Sequence, residues 1–164
     1  MRKYDTVVFD LDGTLLNTLE DLCDCVNVIM QRFGWDVHTL EQIRHYVGNG
    51  IGKLMERSVP EGRDNPRFEE AFKEFREYYT GHCRIKTRPY DGVLELMRTL
   101  KENGFHIAIV SNKNDAAVKE LNGIYFSRFT ESAIGDREGQ QRKPAPDAVY
   151  AALEEMGCGR ERAV

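Results

Sequence analysis

The chain opens on a short apolar run, Thr6-Val7-Val8-Phe9, that breaks at Asp10-Leu11-Asp12-Gly13-Thr14. A run this rich in β-branched and aromatic residues suits a strand covered on both faces of a parallel sheet. The period then changes. Leu15, Leu19, Leu22, Val26, Ile29, Met30 and Phe33 recur at three and four, which predicts a helix stopped by Gly34. Ile43, Tyr46 and Val47 predict a short helix up to Gly48-Asn49-Gly50, and Ile51, Leu54 and Met55 another that ends before Pro60. A loop over 61–66 follows, then a helix with Phe68, Phe72, Phe75 and Tyr79 along one face, reaching Gly81. No strand pattern occurs between 16 and 86.

Beyond Pro89 the strand signal returns. Asp91 is placed to cap a helix carrying Val93, Leu94, Leu96, Met97 and Leu100, with Asn103-Gly104 as its stop. Phe105-His106-Ile107-Ala108-Ile109-Val110 is a second buried-strand run ending on Ser111-Asn112. The remaining pattern predicts a short helix over 116–121, a strand near 129–134, a loop over 135–143 and a last helix opened by Pro146. Residues 160–164 read as the entrance to another strand. Alternating strands and helices predict an α/β fold, a doubly wound (Rossmann-like) parallel sheet. The helical block falls after the first strand. It divides the chain into a core of 1–15 plus 87–164 and an inserted helical domain of 16–86.

Composition narrows the function. With 23 basic against 27 acidic residues the net charge is −4, which argues against a sequence-independent nucleic-acid binder. The apolar runs are too short for a membrane span, and acids appear too early for a signal peptide. Cys23, Cys25, Cys83 and Cys158 form neither a CxxC pair nor a zinc spacing, so reduced thiols and a cytoplasmic protein are expected.

In an open α/β sheet, ligands gather at the carboxyl ends of the strands. Asp10 and Asp12 follow the first strand, Ser111 and Asn112 the second, and Lys143 precedes the last helix. If the backbone stays extended through Leu11, both carboxylates project from one side. They repel unless a proton or cation relieves them, and an oxygen-seeking divalent ion such as Mg²⁺ would do so. One acid could then act as nucleophile and the other as proton donor or acceptor. Gly13 would let the backbone approach a phosphate closely. Ser111 and Asn112 offer a hydroxyl and an amide to phosphate oxygens, and Lys143, beside Pro144, a cation for a phosphoryl group. Alone, each has a bland reading: Asp12-Gly13 a turn, Ser111 a helix cap, Arg142-Lys143 a solvated surface.

Their ordered combination resembles the haloacid dehalogenase superfamily. The matching strings are Val8-Phe9-Asp10-Leu11-Asp12-Gly13-Thr14-Leu15, Ile109-Val110-Ser111-Asn112-Lys113 and Arg142-Lys143-Pro144-Ala145-Pro146-Asp147. Asn17-Thr18 and Val47-Gly48-Asn49-Gly50 look like the phosphoglycolate phosphatase branch, and the helical insert falls where that family carries a cap. The resemblance implies that Asp10 attacks phosphorus and forms an aspartyl-phosphate, while Asp12 protonates the leaving alcohol and later activates water. It implies Mg²⁺ held by the Asp10 carboxylate and the Asp12 carbonyl, and a phosphoryl group held by Ser111 and Lys143. Gly13, Thr14 and Asn112 would contact the substrate, a small phosphorylated metabolite, with Arg44 and Asn49 as cap candidates. The cap would close over the site and choose among substrates.

The chain departs from the family pattern in one respect. A fourth motif, a further strand ending in Gly-Asp with a second acid close behind, is expected after Lys143 and does not occur. Gly135-Asp136 precedes the lysine and reads as loop. A sheet of three strands with an open edge and weak Mg²⁺ binding are the expected consequences, with little turnover expected if the chain is a truncated form and not if a further C-terminal tail exists. The readings left open are a phosphatase of small monoesters, with 2-phosphoglycolate as first candidate, a sugar-phosphate mutase using the same nucleophile, and a non-catalytic phosphate-binding fragment. A receiver-like signalling domain fits poorly, because its acceptor aspartate ends a later strand.

Overall fold

The computed structural model describes residues 3–164. In chain order the elements are β1 (Thr6–Phe9), β2 (Leu16–Asn17), α1 (Leu19–Phe33), α2 (Leu40–Tyr46), α3 (Gly50–Ser58), α4 (Phe68–His82), β3 (Arg88–Pro89), α5 (Val93–Glu102), β4 (His106–Asn114), α6 (Asp115–Tyr125), β5 (Ser132–Asp136) and α7 (Asp147–Met156). Two compact units result. One holds the residues up to Leu16 together with Pro89–Val164, the other Asn17–Arg88. The short extended pieces β2 and β3 carry the chain out of the sheet unit and back.

In the sheet unit, β1, β4 and β5 lie in that order and are parallel. Alternation along β4 decides what each face buries. Ile107 and Ile109 pack with Val93 and Met97 of α5 and Val118 and Leu121 of α6. Ala108 and Val110 point the other way, onto Ala148 and Ala152 of α7. Helices therefore cover both faces, which is why the strand sequence is apolar without alternation. Each isoleucine so enclosed contributes about 1.5–3 kcal/mol. Beyond β1, Ala163 bridges Thr6 in parallel, and the Val8 N–H donates to the Val164 carbonyl at 2.8 Å.

The helical unit closes on a stripe of side chains at helical spacing. Val26, Ile29, Met30 and Phe33 of α1 meet Phe68, Ala71, Phe75 and Tyr79 of α4, with Leu54 and Met55 of α3. Gly34 ends α1 in a left-handed conformation at φ 71°, and Thr39 with Gln42 forms a capping box that starts α2. Asp21 is buried and fully engaged inside this unit. Its carboxylate accepts from the Lys86 and Thr87 amides and from the Thr87 hydroxyl at 2.7–3.1 Å. No helix among the described residues is long and apolar enough to cross a membrane.

Several local expectations need correction. The first cap helix starts at Leu19, not Leu15, because Leu15 and Leu16 turn into the sheet core. Gly92, at φ 82°, precedes α5 where Asp91 was expected to cap it. The third strand is displaced to Ser132–Asp136, so Gly135 and Asp136 belong to a strand and not a loop. Residues 160–162 form a 3-10 turn before the chain reaches β1.

Cys23, Cys25 and Cys83 are buried and free, and Cys158 is half-buried. Burial first, and Asp21 next, push the Cys25 thiol up to about 12. A water-soluble maleimide at neutral pH should therefore modify Cys158 first and reach the other three only on unfolding. Peptide mass mapping checks this; labelling of Cys25 as fast as Cys158 would contradict the packing.

Candidate active site

The loop after β1 is a tight wrap around one carbonyl. Leu11 oxygen accepts the N–H groups of Thr14, Leu15 and Leu16 at 3.3, 3.0 and 3.0 Å, and the Gly13 N–H donates back to Leu16 oxygen at 2.9 Å. Gly13 holds φ 79°, a left-handed conformation that costs glycine little. The Leu11 side chain is fully buried. With Leu11 driven inward, the carboxylates on either side of it are left at the strand end.

Each carboxylate meets its own lysine. Lys143 Nζ lies 2.5 Å from Asp10 Oδ1 and also donates to the Val110 carbonyl at 3.0 Å. Lys113 Nζ lies 3.1 Å from Asp12 Oδ1, and the Ser111 hydroxyl is 3.4 Å from Asp12 Oδ2. The Lys113 side chain is only 11% exposed against 29% for that of Asp12, so the pair is screened less than one on the open surface. Lys113 was not singled out from the sequence. Its signal was present, as a lysine two residues beyond Ser111.

An irregularity in β4 presents these groups. Val110 pairs with Ile134 and Asn114 with Asp136, so β4 advances four residues while β5 advances two. The extra chain is the segment holding Ser111, Asn112 and Lys113, lifted off the ladder as in a β-bulge. It comes down on Gly135. A Cβ there would lie 2.5 Å from both Lys113 oxygen and Asp115 Cα. The Gly135 N–H in turn donates to Asp115 Oδ1 at 2.9 Å. Burial works against charge on Asp115. Its bonds to Lys119, the Gly135 amide and Arg137 outweigh burial and hold the carboxyl below its ordinary value. The stabilisation from this carboxylate is thus present above the ordinary titration and is lost as the pH falls through the lowered one.

The structure pairs Asp10 with Lys143 and, separately, Asp12 with Ser111 and Lys113. Gly13 and Thr14 lie in the wrap, exposed, with their N–H groups turned back on the loop's own carbonyls. Asn112, expected on phosphate, bonds to the Lys143 backbone. Its Oδ1 accepts the Lys143 N–H at 2.8 Å and its Nδ2 donates to the Lys143 carbonyl at 3.2 Å, so both ends of the amide are taken up by backbone. Arg44 and Asn49 belong to the helical unit. Arg44 is exposed on α2 and paired with Glu41, and Asn49 accepts from Arg57 at 3.2 Å.

Among the described residues, no group of three or more His, Cys, Asp or Glu side chains is placed to hold a metal ion. The site offers oxygen donors in the Asp10 carboxylate and the Asp12 carbonyl. An ion such as Mg²⁺ bound there would have one carboxylate and one carbonyl from the chain and would complete its shell with water and substrate phosphate.

The model of the family haloacid dehalogenase-like hydrolase matches residues 7–164. The chain belongs to that family. Phosphoglycolate phosphatase from Thiobacillus denitrificans is 33% identical over 156 residues, covering 92% of this chain and 69% of that protein. Phosphoglycolate phosphatase from Neisseria meningitidis is 30% identical over 162 residues, covering 96% and 69%. The crystal structure of a candidate phosphoglycolate phosphatase from Lactobacillus delbrueckii superposes with a TM-score of 0.91 at 30% identity, covering 99% of this chain and 77% of that one. Within the haloacid dehalogenase-like hydrolases the chain lies on the phosphoglycolate phosphatase-like branch, among the phosphoric monoester hydrolases.

Proposed function

We propose that the chain hydrolyses small phosphate monoesters, 2-phosphoglycolate first among them, through an aspartyl-phosphate on Asp10. The observation that carries this reading is the separate pairing of the two acids, Asp10 with Lys143 and Asp12 with Lys113 and Ser111. Two equivalent carboxylates would have no division of labour; these two have different surroundings.

In the first step an Asp10 oxygen forms a bond to phosphorus as the bond to the alcohol oxygen breaks. Asp12, which takes up a proton from the substrate or solvent before this step, gives that proton to the departing oxygen. In the second, water attacks phosphorus, Asp12 takes the proton, and the bond between phosphorus and Asp10 breaks to release inorganic phosphate. Lys143 stays beside Asp10 and offsets the charge on the transferring group, the main demand of phosphoryl transfer. Ser111 donates its one hydroxyl proton to Asp12 at rest and would turn it to a phosphoryl oxygen when substrate binds. The Asp10 carboxylate and Asp12 carbonyl would hold Mg²⁺, whose chemistry here is charge neutralisation of the phosphate.

The test is release of inorganic phosphate from 2-phosphoglycolate, with and without metal. Release should stop in EDTA and return with added Mg²⁺. A borohydride quench during turnover should reduce the acyl-phosphate and convert residue 10 to homoserine, visible by peptide mass. Undiminished release in EDTA would overturn the metal assignment, and reduction at another residue would overturn the nucleophile.

A further inference from the structure

We propose that Asn112 is a positioning residue for Lys143. It clamps the lysine's backbone from both sides, so that the ammonium reaches the phosphoryl position instead of sampling solvent. The inference rests on the reading of Lys143 as the cation that holds phosphate, and the experiment separates the two.

The loop from β5 to α7 is where Lys143 sits. It could drift, since lysine carries a long flexible stem and a strongly hydrated head. Asn112 removes that freedom at the root of the side chain. Its amide is both donor and acceptor, and the structure uses it as both: Lys143 N–H to Oδ1 at 2.8 Å, and Nδ2 to Lys143 oxygen at 3.2 Å. Two bonds to one peptide position fix orientation as well as distance. At the other end Lys143 Nζ is held by Val110 oxygen at 3.0 Å and Asp10 Oδ1 at 2.5 Å. The irregularity in β4 makes the clamp possible. Asn112 lies in the stretch between Val110 and Asn114, where the ladder to β5 is interrupted, and it bonds instead to a residue 31 positions away. Serine is too short to span both groups, aspartate lacks the donor, and leucine has neither function.

The probe is inorganic phosphate, titrated calorimetrically in excess Mg²⁺ into the full chain and into Asn112→Ala, Lys143→Ala and the double variant. Asn112→Ala should weaken phosphate binding about tenfold, the scale of one or two lost hydrogen bonds. In the Lys143→Ala background the same change should move the affinity less than about twofold, because the clamp then has no ammonium to aim. A general structural role would weaken binding equally in both backgrounds, and that result overturns the proposal. So does unchanged affinity in Asn112→Ala alone. If Lys143→Ala itself leaves phosphate affinity unchanged, the reading of Lys143 falls, and the proposal with it. Should Asn112→Ala fail to fold by thermal melting, Asn112→Ser goes through the same cycle and is held to the same outcomes.

Discussion

Asp10→Asn should abolish phosphate release, lowering turnover by about a thousandfold or more, and leave the fold intact. The amide has the size and shape of the carboxylate but little nucleophilicity. What the fold loses is one ion pair with Lys143, whose side chain is 30% exposed against 40% for that of Asp10. A pair so exposed is worth less than about 1 kcal/mol, so the melting temperature should barely move. One variant thus separates chemistry from stability. The checks are a steady-state assay beside a thermal melt of the same preparation. Substantial residual turnover in Asp10→Asn would remove Asp10 from the chemistry, whatever else the site does.

Gly135→Ala should do the reverse and damage the fold first. The added methyl would stand 2.5 Å from Lys113 oxygen, 2.5 Å from Asp115 Cα and 2.7 Å from Asp115 nitrogen. All three are backbone atoms, so no side chain can rotate aside. The turn carrying Ser111, Asn112 and Lys113 must move bodily, or β5 must. Overpacking of this kind costs about 3 kcal/mol or more, and for a chain of this size that lowers the melting temperature by about 6–12 °C. Activity should fall even where the variant remains folded, because Lys113 is displaced from Asp12. Gly123→Ala is the control. It lies within α6, a Cβ there meets nothing within 4 Å, and alanine favours helix by about 1 kcal/mol. Equal melting temperatures for Gly135→Ala and the parent would mean that the close approach is relieved at no cost.

What the sequence made legible follows from where the information lies. The strands at Thr6 and His106 declare themselves because both faces are covered, and a locally apolar run is the direct imprint of that burial. The ends of those runs then locate Asp10, Asp12 and Ser111. Lys143 could be singled out only through its order among the family strings, since its partner Asp10 is 133 residues away. The irregularity in β4 left no local mark. It exists only in the pairing with β5. Ser111-Asn112-Lys113 reads from sequence as the end of a strand, and the continuation of β4 to Asn114 depends on that partner. Gly135 was obscured for a related reason. Glycine ordinarily punctuates chain, so Gly135-Asp136 read as loop, although its lack of a side chain is what lets a strand pass beneath the turn. Leu15 misled by coincidence of period: it continues the α1 stripe by spacing, yet the wrap around the Leu11 carbonyl turns it into the other core.

The double pairing of acids and lysines also sets a balance of charge. With both acids ionised, two carboxylates and two ammonium groups sum to zero at the site. A phosphate monoester dianion arriving alone would leave the pocket at two negative, and a divalent cation alone at two positive. Arriving together they restore neutrality. If the site takes a phosphate monoester and a divalent ion as proposed, the two should be thermodynamically linked, each raising the affinity for the other by the same factor. Neutral small molecules would gain nothing from this linkage.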